Sequence, residues 1–150
     1  MARHAVQGSG PTLLAFDRAP AGYFEALAST YRVVVMDYPP EGRSQAFIDS
    51  FTADRVCADI LAVADSVDAD RFGWYGFSWG AGVGLQLAAR TNRLTTLACG
   101  GWPPLGGQYR ETLAVTEAGA AQGGDRRYLP YYRSVQAWAE PERDNVAKIT

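Results

Sequence analysis

The chain is poor in the residues that build metal sites and disulfide frameworks. Its 150 residues include two cysteines and one histidine, and Cys57 and Cys99 lie far apart without the spacing of a zinc site. Neither a metal site nor a disulfide framework is predicted, and we expect both cysteines to fill space in the core. The formal net charge of -2 provides no basic face, which argues against nucleic acid as a partner.

Long hydrophobic runs are also lacking. No stretch approaches the roughly 18 apolar residues of a membrane span, and the start, MARHAVQGSG, has no apolar segment typical of a signal peptide. We therefore expect no membrane association and a cytoplasmic location. With 47% hydrophobic and 12% aromatic residues, the chain nevertheless has ample material for one packed core.

Loops that cradle phosphate groups cannot be recognised in the sequence. The run Gly80–Gly84 resembles a dinucleotide loop, but the GxGxxG pattern needs glycine where Leu85 stands, and these glycines fall inside a predicted helix. No GxxxxGK[ST] run is present. Asp65, Asp68 and Asp70 lack the glycine and the final glutamate of a calcium loop. We predict neither a cofactor nor a bound metal.

The pattern of apolar residues predicts alternating strands and helices. The predicted strands are Thr12–Phe16, Tyr31–Asp37, Arg71–Phe77 and Leu94–Gly100, and the predicted helices are Ala21–Ser29, Thr52 to about Val67, and Trp79–Arg90. A first short strand near His4–Gln7 is expected to form a hairpin with Thr12–Phe16 through the turn signal GSGP. Because parallel neighbours need crossover helices, this order predicts an α/β fold with a doubly wound, mostly parallel sheet.

The strand signals stop after Leu105. Helices are predicted at Gln108–Ala118, at Tyr128–Ala139 and from near Pro141 to about Lys148, with a break at Gly123-Gly124. The second of these helices carries a broad aromatic face that contains Tyr131, Tyr132, Val135 and Trp138. We therefore divide the chain into a core, residues 1–105, and a helical segment, residues 106–150. That segment either forms a lid over the site or packs as part of the core.

The segment Gly76-Phe77-Ser78-Trp79-Gly80 reads GxSxG between a predicted strand and a predicted helix. A serine hydroxyl becomes an effective nucleophile when a tight turn presents it beside a base and near donors for an oxyanion. Gly76 and Gly80 let strand and helix approach closely while Ser78 takes strained dihedrals at the turn. Ser78 is therefore the candidate nucleophile, at the strand end where α/β sheets place their sites. The alternative is a glycine-rich turn that opens a helix without any catalytic role.

Three segments, in this order, resemble the α/β-hydrolase superfamily. They are GSGPTLLAF followed by DRAP, the run Asp37–Ser44, and the elbow GFSWG. In that family the opening strand leads into a His-Gly-x-Pro turn and a later strand ends in DxxGxGxS, in which Pro40 replaces the first glycine. The match extends from about residue 4 to residue 105, and the later helices resemble the family's cap. The resemblance implies a serine hydrolase acting on a carboxylic ester or related acyl bond.

The resemblance also assigns roles to individual residues. Ser78 resembles the nucleophile, and the backbone N–H groups of Trp79 and Ala19 resemble the two donors of the oxyanion hole. Asp17 and Arg18 stand where the family has His and Gly, so the second donor departs further from the family pattern than the first. We expect a small-molecule ester or acyl compound as the substrate.

The family's triad also needs an acid and a base, and the sequence does not provide them in the family's order. They follow the serine as an acid and then a histidine, whereas the single histidine, His4, precedes the first matching strand. We expect His4 to be an edge-strand or surface residue and the base to come from outside this sequence. Three explanations stay open: a piece of a longer hydrolase, a non-catalytic small-molecule-binding protein, or a site completed by another chain. A truncated sheet would expose a strand edge that can support self-association.

Overall fold

A five-stranded sheet with helices on both faces forms the core of the protein. The computed structural model describes residues 3–16, 19, 21–37, 51–100 and 107–136. The strands are β1 (Arg3–Gln7), β2 (Thr12–Phe16), β3 (Arg32–Asp37), β4 (Phe72–Phe77) and β5 (Leu94–Gly100). The helices are α1 (Tyr23–Leu27), α2 (Ala53–Ser66), α3 (Trp79–Arg90) and α4 (Gly107–Ala121), and residues 129–136 are also helical. None of the helices in these described ranges is both long and apolar enough to cross a lipid bilayer.

The sheet is mostly parallel, as the sequence predicts. The order across it is β1-β3-β2-β4-β5. Strands β3, β2, β4 and β5 run parallel to one another, and β1 runs antiparallel to β3. The carboxyl ends of the four parallel strands therefore meet at one edge, where α/β sheets bind their ligands. Strand β4 lies between β2 and β5. Its last residue, Phe77, therefore ends within that row of strand ends, with a strand on either side.

The predicted hairpin between the first two strands is wrong. Strand β1 pairs with β3, with His4 opposite Met36, so β3 lies between β1 and β2. Gly8 and Gly10 in the connection have φ angles of +77° and +111°, and a Cβ atom at Gly8 would overlap the carbonyl oxygen of Tyr31. The connection is therefore packed against the residues that lead into β3. This long-range contact decides which strand β1 pairs with. The turn signal in the sequence is local and carries no information about such a contact.

Alternate residues of the central strands enter two separate apolar layers. The larger layer packs against α2 and α3 and includes Leu14, Phe16, Val34, Met36 and Trp74. The smaller layer packs against α1 and includes Ala15, Val33 and Phe24. The sheet is thus covered on both faces, as a doubly wound fold requires.

Helix α2 follows the amphipathic pattern predicted for it. The Thr52 hydroxyl accepts a hydrogen bond from the Arg55 N–H at 3.2 Å, which satisfies one donor of the first helical turn. The predicted stripe is buried, and it consists of Val56, Ile60, Val63, Ala64 and Val67. The aspartates off this stripe form ion pairs, Asp54 with Arg90, Asp59 with Arg55 and Asp65 with Arg93.

Residues 129–136 pack into the larger layer. Tyr131 and Val135 are fully buried there, and the Ser134 hydroxyl accepts a hydrogen bond from the Ala53 N–H at 2.8 Å. At these positions the aromatic face is part of the core and is tied to the start of α2. Trp138 and the helix predicted from Pro141 lie outside the described residues.

We expect Ser134→Ala to lower the free energy of unfolding by about 1–2 kcal/mol, because the Ala53 N–H then loses its acceptor at a helix start. Urea denaturation measures this change. Ser29→Ala is a matched control that removes an exposed hydroxyl bonded to the Ala26 carbonyl at 2.8 Å within one turn. It should change the free energy of unfolding by no more than about 0.5 kcal/mol. Equal changes in the two variants would show that the hydrogen bond between Ala53 and Ser134 does not stabilise the fold.

One of the two cysteines fills core space and the other does not. Cys57 on α2 is buried, as expected, whereas Cys99 on β5 is exposed, so the prediction for Cys99 is wrong. Strand β5 pairs with β4 along one side, and among the described strands none pairs with its other side. Burial raises the pKa of the Cys57 thiol to about 11, because a thiolate is poorly solvated in an apolar core.

We expect the buried Cys57 to weaken the fold at alkaline pH. Its pKa is about 11 in the folded chain against an ordinary value of 9.0, so the unfolded chain releases this proton first as the pH rises. The stabilisation is complete below pH 9 and is lost as the pH rises towards 11, by about 2 kcal/mol at pH 10.5. Denaturation at pH 8 and pH 10.5 of the wild type and Cys57→Ala measures this loss. A loss of the same size in both proteins would exclude Cys57 as its cause.

Candidate active site

Ser78 forms the corner between β4 and α3. Strand β4 ends at Phe77 and helix α3 begins at Trp79. Ser78 has φ 51° and ψ -113°, a conformation that residues with a side chain rarely adopt. The residue is exposed. The structure therefore places the serine of GxSxG in a strained turn at the carboxyl end of an interior strand.

Backbone hydrogen bonds hold this corner on both sides. The Ser78 N–H donates to the Gly100 carbonyl at the end of β5, at 2.8 Å. The Ser78 carbonyl accepts from the N–H groups of Ala81 at 3.0 Å and Gly82 at 3.3 Å. A strained residue persists only where its surroundings fix it, and these bonds connect Ser78 to the sheet and to the first turn of α3.

The two glycines of the motif have unequal roles. A Cβ atom at Gly76 would overlap the carbonyl group of Gly80 and lie 2.6 Å from the backbone nitrogen of Ala81. A Cβ atom at Gly80 would meet the Phe16 ring at 3.4 Å, which is close to an ordinary contact. Position 76 therefore needs glycine for the close approach of α3 to β4, and position 80 does not.

The Trp79 side chain lies in an aromatic cluster beside the corner. Its ring stacks on Phe16 and Phe51, with centroids 5.2 Å and 5.7 Å away. Tyr128 and Tyr131 meet the same ring edge-on at 5.7 Å and 5.2 Å. Such pairs contribute about 0.5–1.5 kcal/mol each beyond their burial. We call these five residues the Trp79 cluster; it joins the corner to β2, to the segment that leads into α2, and to the segment around residue 130.

The two predicted oxyanion donors lie on different elements. Trp79 is the first residue of α3, and the N–H groups of a first helical turn have no acceptor within the helix and carry partial positive charge. Ala19 is half-buried and packs against the smaller apolar layer on the α1 face. Asp17, Arg18 and Pro20 lie outside the described residues.

A comparison with known protein families shows to which of them this chain is related. A family model described as alpha/beta hydrolase fold matches residues 16–99, more than half of the sequence. The chain belongs to the α/β-hydrolase family. No curated protein matches the sequence.

Solved structures are similar to this α/β-hydrolase family member over most of its length. A proposed epoxide hydrolase from Pseudomonas aeruginosa shares 26% identity at a TM-score of 0.64, over 81% of this chain and 44% of that protein. An enol-lactonase from Burkholderia xenovorans LB400 shares 24% identity at a TM-score of 0.57, over 62% of this chain and 40% of that protein. An enzyme that degrades N-acyl homoserine lactones shares 23% at a TM-score of 0.57, over 81% of this chain and 52% of that protein. The last two likenesses show the fold alone, and this chain spans about half or less of each structure.

The single histidine of this α/β hydrolase lies away from Ser78. His4 is on β1, and two strands, β3 and β2, separate β1 from β4. Since neighbouring strands are about 4.8 Å apart, this separation amounts to about 14 Å across the sheet. The structure therefore does not bring His4 to the elbow, as expected for an edge-strand residue.

One residue of the elbow was not singled out by the sequence. Trp74 on β4 is fully buried, and its indole N–H donates to the Gly80 carbonyl at 2.8 Å. The GxSxG pattern begins two residues later and does not include this position. The one signal in the sequence was the tryptophan four residues before the serine. A tryptophan at this position is equally typical of an ordinary core residue.

Proposed function

We propose that this α/β hydrolase is a serine hydrolase acting on a carboxylic ester or a related acyl bond, with Ser78 as its nucleophile. The observation that carries the proposal is the conformation of Ser78, which is exposed and held at φ 51° at the end of β4. Holding a residue with a side chain there costs about 1–3 kcal/mol. A glycine would make the same turn without that strain, so a hydroxyl at this corner is best explained by chemistry.

The proposed reaction follows from the groups around this corner. The Ser78 oxygen attacks the acyl carbon, and the carbonyl electron pair moves to oxygen, where the N–H groups of Trp79 and Ala19 bind it. Removing one such donor typically lowers kcat by about a hundred- to a thousandfold. The alcohol then leaves, and water hydrolyses the acyl group from Ser78. A histidine supplied from outside this sequence takes the Ser78 proton and passes it to the alcohol.

The Trp79 cluster supports an apolar or ring-bearing acyl group in the substrate. Binding sites for small molecules are lined mainly by apolar and aromatic side chains. The cluster includes Trp79, the residue after Ser78, and both Trp79 and Tyr128 are half-buried. Tyr131 belongs to the core, whereas the half-buried Tyr128 reaches the cluster from the residues after α4. This contact of Tyr128 supports a cap formed by residues 106–150 on a core of residues 1–105. Two enzymes of similar fold act on lactones, and lactones are cyclic esters.

The position of His4 favours a second candidate function, a non-catalytic protein that binds a small molecule at the same place. Two strands separate His4 from β4, and loss of the base alone lowers kcat of a serine hydrolase by about a millionfold. A chain without an external base would therefore bind an ester and turn it over very slowly.

Hydrolysis of p-nitrophenyl acetate distinguishes these functions. We would compare the wild type, Ser78→Ala and the control Ser29→Ala, with and without added imidazole as an external base. After subtraction of the uncatalysed rate, the wild type and Ser29→Ala should exceed Ser78→Ala by about tenfold or more with imidazole, because a positioned serine and oxyanion donors still accelerate the reaction. Equal rates for all three proteins would exclude the serine hydrolase as the function of the isolated chain and favour the binding protein.

A further inference from the structure

The Gly80 carbonyl is the point at which α3 is fixed to β4. The indole N–H of the buried Trp74 donates to this carbonyl at 2.8 Å. A carbonyl oxygen has two lone pairs, so it can accept this bond in addition to a helical one. The missing side chain at Gly76 is what allows the same carbonyl to lie against the strand.

The Trp74 indole has little freedom to move. A Cβ atom at Gly84, one turn further along α3, would lie 2.6 Å from the indole Cδ1 and 3.0 Å from Nε1. Gly84 therefore provides the space that the ring occupies. The Phe16 ring meets the indole edge-on, with centroids 4.9 Å apart. The indole N–H is thus held in place towards Gly80.

This bond acts on Ser78 through a single peptide plane. The Gly80 carbonyl and the Ala81 N–H belong to the same planar unit, and the Ala81 N–H donates to the Ser78 carbonyl at 3.0 Å. Fixing the Gly80 carbonyl therefore fixes the direction of the Ala81 N–H. The chain of contacts runs from Trp74 to the Gly80–Ala81 peptide and then to the Ser78 carbonyl. This carbonyl shares a peptide plane with the Trp79 N–H, so the direction of that N–H is fixed as well.

We propose that Trp74 is a positioning residue of the active site: by holding the Gly80–Ala81 peptide, it fixes the conformation of Ser78 and the direction of the Trp79 N–H. The catalytic meaning of this role rests on the proposed function of Ser78. The positioning itself can be measured without turnover.

Amide hydrogen exchange followed by NMR tests the positioning. In Trp74→Phe, which keeps an aromatic ring and removes the N–H, exchange at Ala81 and Gly82 should accelerate about tenfold, the usual effect of one lost hydrogen bond. Exchange at Val56, whose N–H donates to the Thr52 carbonyl at 2.9 Å in α2, serves as the internal reference for global stability. An equal acceleration at all three amides would overturn the proposal.

Phe72→Leu is the matched control. Phe72 lies two residues before Trp74 on the same strand and in the same apolar layer, so its truncation loosens the core without removing an N–H donor. It should show no preferential acceleration at Ala81 and Gly82. The same local pattern in both variants would assign the effect to packing and overturn the role of the bond.

A measurement on the wild type remains decisive if Trp74→Phe does not fold. The Trp74 indole N–H should exchange about a hundredfold more slowly than a free indole, because it is buried and bonded. Exchange at the rate of a free indole would contradict the hydrogen bond.

A kinetic comparison separates this role from the proposed function. With p-nitrophenyl acetate and imidazole, Trp74→Phe should lower kcat about tenfold and leave KM unchanged, since the buried indole does not contact substrate. A rise in KM alone would overturn the positioning role. If the wild type does not hydrolyse the ester, the proposed function fails, and the exchange rates still decide whether Trp74 holds the elbow.

Discussion

Gly76→Ala is expected to lower the free energy of unfolding of this protein by at least about 3 kcal/mol, a large share of the 5–15 kcal/mol of a typical domain. The added methyl group would overlap the Gly80 carbonyl and approach the Ala81 nitrogen. These are backbone atoms of the first turn of α3, so they cannot move aside as a flexible side chain would. Helix α3 would have to separate from β4, which also breaks the bond between Trp74 and Gly80. Urea denaturation of the purified variant measures the loss.

Gly80→Ala is the control for this prediction. It adds the same methyl group four residues later, where the nearest neighbour is the Phe16 ring at 3.4 Å. Alanine also favours a helix over glycine by about 1 kcal/mol. Its free energy of unfolding should therefore stay within about 1 kcal/mol of the wild type. If Gly80→Ala destabilises the protein as much as Gly76→Ala, the close approach at position 76 is not what the motif requires.

Ser78→Gly is expected to abolish the reactivity of this site and yet stabilise the chain. Relief of the strain at φ 51° should contribute about 1–3 kcal/mol. The greater freedom of glycine in the unfolded chain offsets about 0.5–1 kcal/mol of this gain. The net increase in the free energy of unfolding should be about 1 kcal/mol, and hydrolysis of p-nitrophenyl acetate should fall to the level of Ser78→Ala.

Ser78→Ala is the matched control for the stability change. Alanine also lacks the hydroxyl but keeps the Cβ atom that makes this conformation unfavourable. It should therefore lose the reaction without gaining stability. Equal stabilities of the glycine and alanine variants would show that the corner is not strained and that strain gives no reason to assign Ser78 a chemical role.

The parts of the fold that local patterns control could be predicted from the sequence. Helix α3 (Trp79–Arg90) and strand β5 (Leu94–Gly100) have the predicted bounds. Both are bordered by residues that interrupt periodicity, and the elbow itself sets the start of α3. Helix α2 was predictable for the same reason, since Thr52 caps it and its apolar stripe has helical spacing.

The parts that depend on contacts between distant residues could not be predicted. Strand β1 pairs with β3 instead of β2 because its connection packs against residues 28–31. The aromatic face at Tyr131 and Val135 has the same spacing whether it covers a site or fills a core, and the structure buries both residues. At the elbow, the motif predicts the corner but not the indole of Trp74 that holds it.

Covalent labelling shows whether the strained corner presents Ser78 as a nucleophile. The intact chain would be treated with a fluorophosphonate in the presence of imidazole, digested, and mapped by mass spectrometry. We expect one adduct, on the peptide that contains Ser78, which persists in Ser29→Ala and disappears in Ser78→Ala. An adduct at another residue, or equal labelling of the wild type and Ser78→Ala, would contradict this expectation.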